Sequence, residues 1–314
     1  MKFVKRLFLN YNSSMAIILH NSTLKLKIET PGEKYRGSRF DWNGTVTGIW
    51  YKGKKILSQE KKLFSRNIRI YGRGLHNEFG IKDAVGYDEV APGGFFPKIG
   101  TGWLVRDDKP YYFYTQYIID PLEFSFKKIS DTKAVFMCDS GIRNGYGYRY
   151  IKTLELLNDT FKVSYELENT GEKKIETTEY VHNFLLPGAK STGPHLELKF
   201  NWDFDDKKLT ERVNIDDIMD FTSNGIKFKK TPELEFFAGG IWEARKAEPT
   251  ANSAWILEDS ASGIVMSESC DFITCHMDVW GHNRCLSPEL FKKISLESGK
   301  TEKWNRTYSF SMMH

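Results

Sequence analysis

Phe161-Lys162-Val163-Ser164-Tyr165-Glu166-Leu167 alternates apolar and polar side chains without a break. A period of two puts every apolar residue on one face of an extended chain, as in a strand with one side in a core. Working outward, the same alternation runs through Tyr148 to Leu156. It returns in Leu24-Lys25-Leu26-Lys27-Ile28, in Leu196-Glu197-Leu198-Lys199-Phe200 and in Trp304 to Phe310. Glu168-Asn169-Thr170-Gly171-Glu172 supplies a turn after the first run, and Trp50 to Leu57 reads as a hairpin around Gly53. Helical periodicity beyond two turns is missing, with Asp205 to Met219 the nearest candidate. These half-polar strands predict antiparallel sheets and an all-β fold.

Composition agrees with a large core. The chain has 314 residues, 40% hydrophobic and 14% aromatic, enough apolar surface for one large β domain. No composition shift marks a linker, and neither a repeat nor a low-complexity tract interrupts the pattern. Its 45 basic and 41 acidic residues are scattered and leave a formal charge of +4. No basic stripe points to nucleic acid or a membrane surface. Cys138, Cys270, Cys275 and Cys285 are few and irregularly spaced, which fits reduced, buried thiols and a cytoplasmic protein, monomeric or homodimeric. Met1 to Ser14 carries Lys2, Lys5 and Arg6, but its apolar part is only Leu7-Phe8-Leu9, too short for a signal-peptide h-region. Residues 1–14 are expected to be a disordered extension and residues 15–314 a single domain.

Tyr71 to Trp103 breaks the alternation. Gly72, Gly74, Gly80, Gly86, Gly93, Gly94, Gly100 and Gly102 stand among His76, Asn77, Glu78, Lys82, Asp83, Asp88, Glu89 and Lys98. The stretch predicts a loop folded over a sheet end and lining a binding groove. Gly72-Arg73-Gly74 is not followed by a Lys-Ser/Thr step or a helix, so it is no phosphate cradle.

Two segments set proton-transfer groups in apolar runs. Thr177-Thr178-Glu179-Tyr180-Val181-His182-Asn183-Phe184-Leu185 carries a His, and Arg284-Cys285-Leu286-Ser287-Pro288-Glu289-Leu290-Phe291 carries a Glu. A fold that joins them has an acid and a base. Each has a plainer reading: His182 as a half-buried strand histidine bonded to a carbonyl, Glu289 as a solvated loop carboxylate. Arg39, Asp41 and Trp42 read likewise as an ion pair and a core tryptophan at a sheet edge. Cys270, Cys275, His276, His282 and Cys285 offer soft ligands, but their spacing matches no common zinc site, and no metal is expected.

The order of these parts resembles the galactose mutarotase (aldose 1-epimerase) superfamily. The resemblance rests on Arg39-Phe40-Asp41-Trp42, the polar stretch near residue 75, Tyr180-Val181-His182-Asn183-Phe184, the late Glu289 and the closing Leu296-Glu297-Ser298-Gly299. It covers most of Met15 to Met312 and implies a β-supersandwich of stacked antiparallel sheets with a shallow sugar site. It also implies His182 as acid, Glu289 as base, and no cofactor. Ser287 and Pro288 stand between the Cys-Leu pair and Glu289, a departure that an extended strand absorbs because two residues return to the same face. Arg73, His76, Asn77 and Glu78 occupy the region of the family's Asn-Arg pair in an arrangement of their own, which marks a divergent branch.

The chemistry asked of such a site is simple. Interconverting anomers needs a proton removed from the anomeric hydroxyl and one delivered to the ring oxygen, then the reverse after rotation about C1–C2. Glu289 and His182 would exchange roles on closure. Arg73, His76, Asn77, Glu78, Lys98, Asp278, Trp280 and His282 are the candidate substrate-binding residues, for a monosaccharide or sugar derivative. A carbohydrate-binding protein without turnover is the main alternative. A glycoside-processing enzyme using Glu289 with Asp278 or Glu78 is another. A phosphosugar would require Arg73, Lys98, Arg39 and Arg284 to converge.

Overall fold

The computed structural model describes residues 16–61, 65, 67–188, 191–248 and 252–313. The extension expected at residues 1–14 lies outside the described residues. Alternation becomes sheet where expected. Two ten-stranded antiparallel sheets and one three-stranded sheet hold the described residues, so the fold is an all-β supersandwich.

The first large sheet runs Ile17–His20, Leu24–Glu29, Thr45–Tyr51, Leu75–Phe79, Ile175–Asn183, Cys285–Leu296, Thr274–His282, Phe236–Gly239 and Glu211–Val213, with Lys54–Lys55 paired on Thr45–Tyr51. The second runs Met219–Phe221, Gly225–Phe228, Leu196–Phe200, Ala254–Asp259, Ile264–Cys270, Thr301–Met312, Thr160–Asn169, Tyr146–Leu157, Lys133–Arg143 and Glu123–Lys128. The small sheet is Phe95–Lys98, Gly102–Val105 and Ile119–Pro121. The hairpin read around Gly53 turns on Lys52 and Gly53 at φ 47° and 80°, both in the left-handed region that a tight two-residue turn needs. Asp205 to Met219, the nearest helical candidate, contains only a 3-10 turn at Asp206–Lys208 before the Glu211–Val213 strand. No helix among the described residues is long and apolar enough to cross a membrane.

Tyr71 to Trp103 corrects the sequence reading. Leu75–Phe79 is a fully buried strand inside the first sheet, between Thr45–Tyr51 and Ile175–Asn183, and Phe95–Lys98 and Gly102–Val105 form a second hairpin. Gly74 is what admits the chain there. It sits at φ 72°, and a Cβ would lie 2.1 Å from the Val46 carbonyl oxygen, so only glycine fits.

One apolar cluster fills the space between the two large sheets, with Val46, Leu75 and Val181 from the first meeting Leu154, Val163 and Tyr308 from the second. A polar network is buried in the same layer. Arg306 places Nη1 2.6 Å from Glu268 and Nη2 2.8 Å from Glu179, and Nη2 also donates to the Leu290 carbonyl at 2.9 Å. Unpaired, any of these charges would be costly to bury. Asn183 donates from Nδ2 to the Pro288 carbonyl at 2.6 Å and to Glu268 at 3.2 Å. The network therefore ties the strand of His182 to the strand of Glu289 from beneath.

Candidate active site

Strand register assembles the site. Ile175–Asn183 and Cys285–Leu296 are antiparallel, pairing Glu179 with Lys292, and the same register reappears at the Leu185–Leu286 bridge. That alignment sets His182 opposite Glu289. On the outer flanks His182 pairs with His76, and Glu289 with Asp278. His76, His182, Glu289 and Asp278 thus form one row across four neighbouring strands, on the face turned away from the inter-sheet core. Directly opposed side chains in such a row lie about 4.5–5.5 Å apart at Cβ.

His182 Nε2 lies 3.5 Å from Glu289 Oε1. Ser287, two residues before Glu289 and on the same face, joins them: its Oγ donates to Glu289 Oε1 at 2.8 Å and lies 3.1 Å from His182 Nδ1. The same Oγ accepts the Asn183 main-chain N–H at 2.9 Å. With the Ser287 proton directed to Glu289, the Nδ1–H tautomer of His182 satisfies the same oxygen and turns a bare Nε2 toward Glu289.

The surroundings disfavour charge on both groups. Burial, then the opposed Asp278, pushes the Glu289 carboxyl well above the usual carboxylate range. Burial, then the Arg39 guanidinium, holds His182 well below its ordinary 6.5. The imidazole stacks on Phe184 at 4.1 Å and meets the edge of Trp280 at 5.1 Å, which is where the burial comes from.

These residues open on a cavity of about 530 Å³, lined by Arg39, Asp278, Trp280, His182 and Glu289 together with Lys82, Tyr111 to Tyr114, Glu211 and Phe237. That volume is typical of small-molecule sites. Arg39 forms one wall. Its Nε is 2.8 Å from Glu78 and its Nη2 donates to the Tyr180 hydroxyl at 3.1 Å, while its plane lies 4.5 Å from Phe113. Its neighbour Asp41 behaves as the sequence reading allowed, pairing with Lys152 at 2.7 Å in the interior. At the far end of the row, His276 Nε2 is 2.8 Å from Asp278 and Nδ1 bonds Glu243. Burial opposes the charge on His276, but those two carboxylates raise it to about 9. Asp278 also accepts the Gly240 N–H at 3.0 Å.

Other residues expected to touch a substrate sit elsewhere. Asn77 points to the opposite face of its strand, where it bonds Glu179 and the Tyr165 hydroxyl. Glu78 lies beneath the cavity, paired with Arg39. Lys98 is also below, donating to the Phe79 carbonyl at 2.6 Å and the Tyr111 hydroxyl at 3.1 Å. His76 shares the row of His182 but is covered by Phe40 at 4.8 Å and Tyr35 at 4.7 Å. Arg73 reaches back to the Ile68 carbonyl at 3.0 Å and does not line the cavity. His282 packs behind Trp280 at 5.1 Å. Cys285 Sγ lies 3.4 Å from His282 Nε2, whereas Cys270 faces the Ser253 carbonyl.

Sequence reasoning missed the wall of Tyr111, Tyr112, Phe113 and Tyr114. The signal was present, because four successive aromatics after Asp107-Asp108-Lys109-Pro110 suit neither an alternating strand nor a solvated loop.

No family model matches the chain, and no curated protein matches it. Solved structures do. A galactose mutarotase-like protein from Lactobacillus casei superposes with a TM-score of 0.58 at 11% identity, over 94% of this chain and 100% of the other. A galactose mutarotase-like protein from Clostridium acetobutylicum gives 0.56 at 12% identity, over 95% of each chain. An aldose epimerase homologue from C. elegans gives 0.52 at 11% identity, over 96% and 100%. At these identities the likeness is one of fold, and the chain has the galactose mutarotase-like fold over nearly its whole length.

Proposed function

We propose that this protein interconverts the anomers of a neutral reducing sugar, with His182 and Glu289 as its acid–base pair. The observation that carries the reading is the pair itself: two buried titratable groups 3.5 Å apart, joined by one hydroxyl and facing a cavity of ligand size. Together they hold one transferable proton. With that proton on Glu289, the form in which neither group is charged, His182 takes the proton of the anomeric hydroxyl while Glu289 protonates the ring oxygen. This start reverses the roles expected from the sequence. On closure each group returns to its first state, so the proton count is the same at the end as at the start. Asp278 and Arg39 offer an acceptor and donors to sugar hydroxyls, and Trp280 offers a ring face.

A neutral substrate is favoured by charge. Arg39 is already matched by Glu78, and among the described residues Lys82 is the cavity-lining cation that remains against Glu211 and Asp278. Arg73, Lys98 and Arg284 do not line the cavity, so the described residues do not supply the convergent cations a phosphate needs.

The test is polarimetry on freshly dissolved α-glucose and α-galactose. The wild type should speed their mutarotation, and Glu289→Gln should lose about 10²–10⁴-fold while still binding the sugar. Full activity in Glu289→Gln would remove Glu289 from the reaction. The Asp278–Glu289 opposition also supports a second reading, glycoside hydrolysis by paired carboxylates; release of new reducing ends from a glycan would favour it.

A further inference from the structure

The cavity is larger than one sugar ring requires. Even if each of the about twelve heavy atoms of a hexose claimed the ~30 Å³ share of a liquid water molecule, the ring would fill about two thirds of the 530 Å³. The aromatic wall of Tyr111 to Tyr114 lines the same cavity. Tyr112 is 56% and Tyr114 47% exposed, so they are not core residues. Phe113 lies between them in the chain, with ring centroids 5.2 Å from Tyr112 and 4.3 Å from Tyr114.

This exposed cluster is firmly held. The Tyr112 N–H donates to the Tyr117 hydroxyl at 3.0 Å, and Ser38 Oγ donates to the Thr115 carbonyl at 2.9 Å. From inside, the Arg39 guanidinium packs 4.5 Å from Phe113 and 5.0 Å from Tyr114. Aromatic surface fixed in place while open to water is a mark of a recognition surface. Glu211 and Lys82 line the same cavity and supply hydrogen-bonding groups.

We propose that Tyr112 and Tyr114 form an outer subsite for a second sugar ring, so that the preferred substrate is a reducing disaccharide or longer oligosaccharide. This rests on the anomer-interconversion reading and extends it. The reducing ring sits with C1 at His182 and Glu289. The next ring lays its C–H face on the tyrosines. An apolar aglycone would suit the aromatics equally, but a glycoside has no free anomeric hydroxyl for the inner pair to deprotonate.

The experiment compares glucose and galactose with maltose, cellobiose and lactose, by kcat/KM for anomer exchange and by calorimetric binding. The wild type should favour at least one disaccharide over its reducing monosaccharide by about tenfold or more. Tyr112→Ala and Tyr114→Ala should each cut that ratio by about tenfold, the effect of one lost stacking contact. Tyr112→Phe should keep the ratio, which guards against a folding artefact. A wild type that prefers monosaccharides, or a ratio untouched by both alanine variants, overturns the subsite. Disaccharide binding that weakens in the alanine variants without any turnover in the wild type upholds the subsite and sinks the catalytic reading.

Discussion

Replacing Ser287 by Ala tests the assembly of the pair without touching either member. The wild-type hydroxyl accepts from the Asn183 N–H and from His182 Nδ1 and donates to Glu289, all in buried surroundings. Alanine leaves two buried N–H donors and one carboxyl oxygen without their partner. A buried donor left unmatched costs about 1–3 kcal/mol, and relaxation toward shared partners brings the total to about 2–4 kcal/mol. A domain this size survives that loss. The urea midpoint should fall by roughly 1 M if m is about 3 kcal/mol/M. Turnover should fall more selectively. With Nδ1 no longer held, the imidazole can swap its proton to Nε2 and lose its role as acceptor, so anomer exchange drops about 10–100-fold, part of what a positioned proton transfer supplies. Denaturation and polarimetry on one preparation read both effects. Unchanged stability and rate would refute the bridging role; lost stability with an unchanged rate would make Ser287 purely structural.

Three further outcomes follow from the charges. Activity requires one proton on the pair, so the rate should fall at low pH as His182 gains a proton and at high pH as Glu289 loses its own; a rate that climbs toward either extreme would contradict this. Because burial raises the folded-state pKa of Glu289 above its ordinary 4.5, its stabilising share is full below that pH and is lost as pH rises through the folded value. Glu289→Gln should therefore gain stability relative to the wild type as pH rises above about 4.5, and denaturation midpoints that move in parallel would show otherwise. Glu78→Gln leaves the Arg39 guanidinium buried beside a neutral partner, which should cost about 3–5 kcal/mol; a loss below about 1 kcal/mol in urea would mean the pair is not truly desolvated.

What the sequence disclosed tracks local chemistry. Phe161 to Leu167 and Leu196 to Phe200 declare their strands because one face meets a core and the other water. His182 and Glu289 stand out because a titratable group inside an apolar run needs a reason. Leu75–Phe79 hid itself, since its buried positions are filled by His76, Asn77 and Glu78, which are satisfied or packed by distant residues such as Arg39, Phe40 and Glu179. Alternation cannot reveal a strand whose burial is polar. The Arg39–Glu78 pair is 39 residues apart in the chain, and only the sheet order joins them. Tyr111 to Tyr114 were legible as an aromatic run, but their place beside the row of His182 depends on how the small sheet packs.

The most direct measurement is magnetisation exchange between the α and β anomeric protons of a reducing sugar, followed by NMR with and without the purified protein. Exchange at micromolar protein should run well above the spontaneous rate for at least one of glucose, galactose, maltose, cellobiose and lactose. Glu289→Gln should abolish the increase. Exchange no faster than in buffer for every one of these sugars, from a folded wild type, would contradict the anomer-interconversion reading.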